Sequence, residues 1–363
     1  MKILHVINSL ATGGAEKLIV ETVPLYYKEG LEVDVLLLNG VESPFLKELQ
    51  SKKCCTVFSL GKGSVYNPLL IFKIIPYLKQ YEIVHVHLFP ALYWVVLAKI
   101  LKKSSVKLMY TEHSTTNKRR NYNVFKNFDR IIYKFYDKII TIASEVDKNI
   151  KAYLGFLSAK FYTINNGVDT DFIHKAKPYL KEDFFLKGDK ILIQISSFRE
   201  PKDQSTLIKS LTLLPEKIKL VLVGEGELKD TCEDLVDQLK LKHRVKFLGI
   251  RMDVPELLKT SDIIVLSSKH EGLSLSSVEG MASGKPFIAS DVPGLTEVVK
   301  DAGLLFPQGD EKALATAILS LINDKDLYDS VVKKCLQRAS QYDIHKMVDK
   351  HIKLYNSLFI EHN

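Results

Sequence analysis

Short runs of continuous apolar, β-prone residues alternate along the chain with longer stretches whose apolar positions recur at helical spacing. Residues 2–7 form the first such run. A helical stretch follows over residues 13–30, closed by Gly30. Further strands are expected at residues 32–38, 82–88, 106–111 and 138–143, with helices at residues 68–80, 90–102 and 122–136. Strands that are apolar throughout and separated by helices predict a parallel sheet covered on both faces. The rhythm then restarts. Strands are expected at residues 190–196, 219–223, 245–248, 262–266 and 286–289, and helices at 202–213, 227–239, 276–283, 309–323 and 342–359. Between the two runs, residues 165–188 carry Asn165-Asn166-Gly167, Pro178 and Gly188 and read as the connection. The prediction is an α/β chain of two doubly wound, Rossmann-like units facing across a cleft, residues 1–170 and 171–341, and a final helix.

Length and composition agree with that division. The chain has 363 residues, enough for two domains that each bury a core. The longest uncharged apolar run, residues 88–98, is well short of the ~20 residues a spanning helix needs, and Pro90 interrupts it. The first residues run straight into a strand with no small-residue cleavage site, so a cytoplasmic protein is expected. Cys54, Cys55, Cys232 and Cys335 form neither a C-x-x-C pair nor a zinc-like spacing with histidine, and free thiols are expected. The net charge of +8 is uneven: residues 1–170 carry +9 and the rest −1. A basic half suits an anionic partner, whether phospholipid, a phosphate-bearing acceptor or nucleic acid. Lys99, Lys102, Lys103 and Lys107 around an apolar helix, with Lys118-Arg119-Arg120 shortly after, are the residues expected to meet an anionic leaflet, which makes the protein peripheral on the inner face of a membrane.

The common nucleotide motifs fail. Thr12-Gly13-Gly14-Ala15 is not G-x-G-x-x-G, Gly224-Glu225-Gly226 has Lys229 where a third glycine belongs, and Gly61-Lys62-Gly63-Ser64 lacks the P-loop spacing. Gly13-Gly14 still lies at a strand-to-helix turn, where backbone N–H groups and the helix dipole can face an anion. The densest signal runs from Ser267 to Gly284, after the strand at residues 262–266. Glu271 sits in the loop and Gly272 frees its backbone. Ser274 and Ser276 are candidate N-caps, Glu279 lies just inside the helix, and Gly284 ends it. One loop thus offers a carboxylate, a run of N–H donors and a second carboxylate. Diphosphate suits the donors, and sugar or ribose hydroxyls suit the carboxylates.

Glu271 and Glu279 form E-x7-E, and this stretch resembles the signature of the family 4 retaining glycosyltransferases, which have the GT-B fold. Gly13-Gly14-Ala15-Glu16, Asn166-Gly167-Val168-Asp169, Val223-Gly224-Glu225-Gly226, Phe247-Leu248-Gly249 and Asp291-Val292-Pro293-Gly294 resemble further blocks in family order. The resemblance implies transfer of a sugar from a nucleotide-sugar donor, UDP- or GDP-linked, to a glycan or lipid-linked acceptor with retention, without a metal or other cofactor and without nucleic acid. It implies that Glu279 binds ribose. Glu271, Gly272, Leu273, Ser274 and Leu275 would hold sugar and phosphates, with Lys202 neutralising the leaving diphosphate. Gly13, Gly14 and Gly224 would line the donor site, His113 would meet sugar hydroxyls near the reacting carbon, and Arg251 would flank the base. The final helix, residues 342–363, would pack back on the first unit. Where the family places an arginine this chain has Ser197. Arg199, two residues on, is expected to reach the same phosphate if the chain leaves the strand extended.

Two patterns point elsewhere. Asp169-Thr170-Asp171 and Asp324-Lys325-Asp326 read D-x-D, a metal clip of another fold, and His85 and His87 share one face of a strand; packing rather than metal is expected of both. A nucleotide-sugar 2-epimerase of the same architecture, or a non-catalytic sugar-binding protein, are the alternative functions.

Overall fold

The structure is a computed structural model that describes residues 1–11, 13–114, 118–155 and 159–360. Its chain divides into two units, one of Met1–Asn166 with Ile344–Asn363 and one of Gly167–Asp343. The division falls a few residues before the expected position, so the Asn166-Gly167 pair is the crossing point rather than part of a longer tether.

In the first unit seven strands, β1 (Lys2–Ile7), β2 (Glu32–Leu37), β3 (Val57–Ser59), β4 (Ile83–His87), β5 (Lys107–Glu112), β6 (Lys138–Thr141) and β7 (Phe161–Thr163), pair in the order β3-β2-β1-β4-β5-β6-β7, all parallel. In the second, β8 (Lys190–Ile195), β9 (Ile218–Val223), β10 (Val245–Phe247), β11 (Ile263–Leu266), β12 (Phe287–Ser290) and β13 (Leu304–Phe306) pair as β10-β9-β8-β11-β12-β13, again all parallel. These are the two doubly wound, Rossmann-like units read from the sequence. Each order reverses once, between β1 and β4 and between β8 and β11. In open α/β sheets that reversal opens a crevice beyond the carboxyl ends of the strands, where ligands bind.

Local chemistry explains where elements begin and break. The expected helix over residues 68–80 is in fact a short helix, Leu70–Ile74, and a 3₁₀ turn, Tyr77–Lys79. Pro76 stands between them; it has no N–H to donate and its ring crowds the preceding turn. The helix Gly14–Lys28 tolerates Pro24 inside it. The carbonyl of Val20, orphaned by that proline, accepts from Lys52 Nζ at 3.2 Å. The helix Ile344–Ile360 buries Ile344, Met347, Val348, His351, Tyr355 and Leu358, one stripe at helical spacing, against the first unit's helix Gly14–Lys28 and strand β4. Among the described residues no helix is long and apolar enough to cross a membrane.

Candidate functional site

In the second unit, three loops at the carboxyl ends of β8, β11 and β12 are tied into one surface. The loop after β8 is stitched to the loop after β11 by a β-bridge between Lys202 and Ser268. Backbone bonds from Lys269 N–H to Pro201 O (2.9 Å) and from Asp203 N–H to Ser267 O (3.1 Å) add to it. The ammonium of Lys202 donates to Glu271 Oε1, and Ser268 Oγ donates to the same oxygen at 2.7 Å. Both charged side chains are largely buried, at 16% and 11% exposure. The loop after β12 supports them from below. Gly294 has φ +82°, and a Cβ there would collide with the carbonyl oxygens of Glu271 and Gly272, so only glycine allows this approach. Gly224 plays the same part for the loop after β8. With φ +137° it packs against the Ser196 carbonyl, while its N–H donates to Gly249 O at 2.8 Å.

Between Glu271 and the helix Leu275–Ala282 lies a run of backbone donors. The N–H groups of Gly272, Leu273, Ser274, Leu275 and Ser276 find no hydrogen-bond acceptor among the described residues. Leu273, Ser274 and Leu275 are nevertheless buried. Unpaired N–H groups at the N-terminus of a helix are where an anionic acceptor can be held. Ser274 is the N-cap residue, but its side chain caps nothing. Ser276 is inside the helix rather than a cap, and Ser277 Oγ turns back to Ser274 O at 2.7 Å. Glu279 lies on the same helix, 4% exposed, and with Ser276 lines a small cavity behind β11.

One sequence expectation looks different in three dimensions, and a second candidate residue gains a partner. After β8 the chain does not continue extended: Arg199 N–H donates to Ser197 O at 3.1 Å, and Lys202 N–H to Arg199 O at 2.8 Å. The alternation that was to aim residues 197 and 199 alike therefore does not apply. Arg199 is exposed, and its guanidinium has no partner among the described residues. Arg251 is held in a fork by Asp253, with Nε donating to Oδ1 at 2.7 Å and Nη2 to Oδ2. The guanidinium beside it lowers the Asp253 carboxyl to about 2.

In the first unit, Gly13 and Gly14 form the N-terminus of the helix Gly14–Lys28. Gly13 is extended, and any Cβ on it would run into the Glu16 carboxylate. Thr12 lies outside the described residues. The register of β1, β4 and β5 assembles a buried histidine cluster. His5 pairs with His85, and His87 with Thr111. His113 follows one residue beyond β5, and His351 and Tyr355 come from the helix Ile344–Ile360. A small cavity is lined by His5, Tyr26, His85, His87, His113 and His351. Burial pushes His5 and His113 down to about 3 and His351 to about 4; it also holds His85 and His87 well below their usual value, with neighbouring histidines adding to the effect. All five rings are therefore neutral near pH 7.

One nitrogen from each of His5, His85 and His87 lies within 4.8 Å of the others. A metal needs nitrogen lone pairs free to converge on one point. The His85 and His87 rings are tilted, with centroids 4.3 Å apart and planes 33° apart. Their nitrogens are also engaged: His5 Nδ1 with His87 Nε2 at 2.9 Å, His87 Nδ1 with His113 Nε2 at 3.0 Å, His85 Nδ1 with Tyr355 Oη at 2.6 Å and His85 Nε2 with Thr111 Oγ1 at 2.7 Å. The D-x-D runs have local uses. Asp169 accepts from Phe172 N–H at 2.8 Å and Asp324 from Leu327 N–H at 2.9 Å, each capping a helix.

The expected basic surface is partly consumed by internal pairing. Arg119 is buried against Asp129 at 3.2 Å, and Arg120 bonds Glu112 at 2.5 Å. Lys99 and Lys107 share Asp137 at 4.0 and 3.7 Å. Lys102 and Lys103 are exposed, and the Lys118 side chain lies outside the description.

Residues 12–172 match the family described as Glycosyltransferase Family 4, and residues 177–338 match that described as Glycosyl transferases group 1. Together they span nearly the whole chain in the order of its two units. The chain is a family 4 glycosyltransferase.

Its relatives agree with that membership. It is 27% identical over 296 residues to the O-antigen biosynthesis glycosyltransferase WclY of Escherichia coli, covering 78% of this chain and 82% of that one. It is 33% identical over 183 residues, 48% of each chain, to a Campylobacter jejuni N,N'-diacetylbacillosaminyl-diphospho-undecaprenol alpha-1,3-N-acetylgalactosaminyltransferase. The crystal structure of Anabaena Alr3699/HepE in complex with UDP-glucose has the same GT-B fold, with a TM-score of 0.87 at 23% identity over 98% of this chain and 100% of that one. Within this family 4 chain, sequence reading had singled out His85, His87 and His113 but not His5, His351, Tyr26 or Tyr355. The available signals were a histidine in place of an apolar residue within β1, and the i, i+4 spacing of His351 and Tyr355 on one helix face.

Proposed function

We propose that this glycosyltransferase moves a sugar from a nucleotide-diphosphate sugar to a lipid-linked or polysaccharide-precursor acceptor, with retention and without a metal. The observation that carries the reading is the row of unpaired N–H groups from Gly272 to Ser276 at a helix N-terminus, with the Lys202 ammonium held beside it by Glu271 and Ser268. Breaking a glycosidic bond to diphosphate builds negative charge on the leaving oxygens. Preoriented backbone donors and one cation stabilise that charge where it appears. Glu279 is assigned to ribose hydroxyls and Arg251, its plane fixed by Asp253, to the edge or face of the base. Retention is assigned to attack on the face the diphosphate leaves, with a phosphate oxygen taking the acceptor proton. Arg199 and Lys202 are the two cations available to the diphosphate.

The UDP-glucose complex of HepE makes UDP-sugars the first donors to try, and the undecaprenol-linked substrate in the name of the Campylobacter relative makes a polyprenyl-diphosphate glycan the first acceptor. A surface of the first unit suits such an acceptor. Along the helix Asn123–Lys134 and just past it, Val124, Phe128, Ile131 and Phe135 form an exposed apolar stripe, with Lys126, Arg130 and Lys134 on the adjoining turns. An apolar face flanked by cations is the pattern of a helix lying in an anionic membrane surface. The experiment is a thermal-shift panel of UDP-, GDP- and ADP-sugars, followed by nucleotide release with and without acceptor. Stabilisation by one nucleotide series and release that requires acceptor are expected. Release of nucleotide or an epimerised sugar without any acceptor would overturn transfer in favour of epimerisation, and the anomeric coupling of the product tests retention.

A further inference from the structure

The buried histidines of the first unit are joined end to end. His113 Nε2 meets His87 Nδ1 at 3.0 Å, and His87 Nε2 meets His5 Nδ1 at 2.9 Å. His5 Nε2 lies 3.4 Å from Tyr355 Oη, Tyr355 Oη is 2.6 Å from His85 Nδ1, and His85 Nε2 is 2.7 Å from Thr111 Oγ1. The chain therefore starts at a partly exposed residue one position beyond β5 and ends in a fully buried tyrosine, histidine and threonine. At the outer end, His113 Nδ1 has no partner among the described residues.

A neutral imidazole carries one N–H and one lone pair, so a bond donated at one nitrogen must be accepted at the other. Burial keeps these rings neutral. The direction of any one bond consequently fixes all the others. Tyr355 decides that direction. A phenol O–H is a stronger donor than an imidazole N–H or an alcohol O–H, and of the two histidine contacts of the Tyr355 hydroxyl the one to His85 is 2.6 Å against 3.4 Å to His5, so its proton lies toward His85. Tyr355 thus donates to His85 Nδ1, and His85 Nε2–H donates to Thr111. The Tyr355 oxygen is left to accept from His5 Nε2–H. His5 Nδ1 then accepts from His87 Nε2–H, and His87 Nδ1 accepts from His113 Nε2–H. What remains at the outer end is a lone pair on His113 Nδ1.

We propose that Tyr355, on the C-terminal helix, is a positioning residue that fixes the tautomer of His113 through His5 and His87, so that His113 meets its ligand only as a hydrogen-bond acceptor and takes a donating hydroxyl, such as a sugar hydroxyl. The ligand half of this inference rests on the reading of His113 as a sugar contact; the tautomer half does not.

The test is long-range nitrogen–proton NMR of the full chain labelled at histidine, with the His113 signals assigned by their loss in His113→Gln. The expected result is a neutral His113 protonated at Nε2 and bare at Nδ1. A ring protonated at Nδ1, or at both nitrogens near neutral pH, overturns the relay. Tyr355→Phe removes the group that sets direction. His113 should then become a mixture of tautomers, and kcat/KM should fall on the order of tenfold, the value of one misdirected hydrogen bond. An unchanged His113 tautomer in folded Tyr355→Phe also overturns the relay, and if that variant does not fold, the wild-type spectrum decides alone. A fully active His113→Gln enzyme with the expected wild-type tautomer would sink the sugar contact while leaving the relay intact.

Discussion

The histidine cluster makes the first unit acid-labile in a window where little else titrates. An unfolded histidine has a pKa near ~6.5, so between pH 7.5 and 5.5 it goes from about one-tenth to about nine-tenths protonated. In the folded protein His5 and His113 are held at about 3, His351 at about 4, and His85 and His87 well below the usual value, all by burial. They stay neutral over that range. The unfolded state then binds more protons than the folded one, and stability falls as pH falls. It is fully present above ~6.5 and is lost progressively below that value until the folded-state values are reached. Each histidine contributes ~1.4 kcal/mol over the two pH units, so five contribute ~7 kcal/mol. A domain's whole stability is ~5–15 kcal/mol, so the first unit should be at or near its acid transition by pH 5.5. Carboxylates paired in the fold protonate mostly below this window, which keeps the two effects apart.

The assay is urea unfolding at pH 7.5, 6.5 and 5.5, followed by tryptophan fluorescence. The chain has one tryptophan, Trp94, and it lies in the first unit, with Nε1 donating to Val65 O at 2.8 Å. The signal therefore reports the unit that holds the cluster. A loss of no more than ~1.4 kcal/mol over the whole range, the worth of a single proton, would refute the reasoning. It would mean that the folded cluster takes up protons nearly as readily as the unfolded chain.

Five further outcomes are expected. Lys202→Ala should lose ~10²–10³ in kcat, the usual effect of removing one donor to a developing anion. Arg199→Ala should lose as much if the exposed guanidinium swings onto the diphosphate, and full activity in that variant would leave Lys202 as the sole cation. Gly294→Ala should cost ~1–3 kcal/mol of stability, because its φ of +82° and the carbonyls of Glu271 and Gly272 exclude a Cβ, and turnover should fall with the displaced loop; a wild-type melting curve by calorimetry counts against the packing. Glu279→Ala should weaken nucleotide binding in calorimetric titration while Glu271→Ala chiefly lowers kcat, and equal effects on both quantities would erase the distinction. Phe128→Ser with Ile131→Ser should reduce sedimentation with anionic vesicles, and wild-type binding should weaken from about 0.05 to about 0.5 M salt as the Debye length shortens from about 14 to about 4 Å; vesicle binding indifferent to both rules out docking through this stripe.

How much was legible depended on how local the cause was. Interior strands such as β11, buried at all four positions, announce themselves as unbroken apolar runs. The edge strands β3, β7 and β13 have three residues each, too few to show a period, and passed unnoticed. The helix Lys325–Ala339 buries only Val331, Cys335 and Ala339, and its charged remainder masks the stripe. The loop from Ser267 to Gly284 was readable because its donors, carboxylates and glycines are consecutive. The use of Arg199 was not, since it depended on a backbone turn at Ser197 that the strand alternation does not foretell. The histidine cluster draws on three strands and a helix from the far end of the chain. Only the His85, His87 alternation was visible along one segment, and it suggested packing without revealing a chain of bonds.

The two switch points use opposite chemistry, and under the proposed function the difference follows from what each would meet. Beyond β8 and β11 the second unit gathers backbone donors, an ammonium and a carboxylate, groups whose value lies in charge. Beyond β4 and β5 the first unit gathers neutral rings that can each both donate and accept. A diphosphate demands donors only, and a fixed row of amides serves it whatever the sugar attached. A hydroxyl can donate or accept, so an enzyme that must orient one has to decide which of the two it will do. A single surface histidine leaves that choice to solvent and pH. A histidine tied through His87 and His5 to Tyr355 has the choice made inside the protein, by a residue on the last helix of the unit. Removal of that helix, Ile344–Ile360, would therefore be expected to disorder the recognition of hydroxyls at His113 while leaving nucleotide binding by the loops after β8 and β11 intact. Calorimetric titration of nucleotide into a chain truncated before Ile344, set beside its transfer activity, separates the two. Loss of both together, in a chain whose second unit still melts cooperatively, would show that the helix does more than set the state of His113.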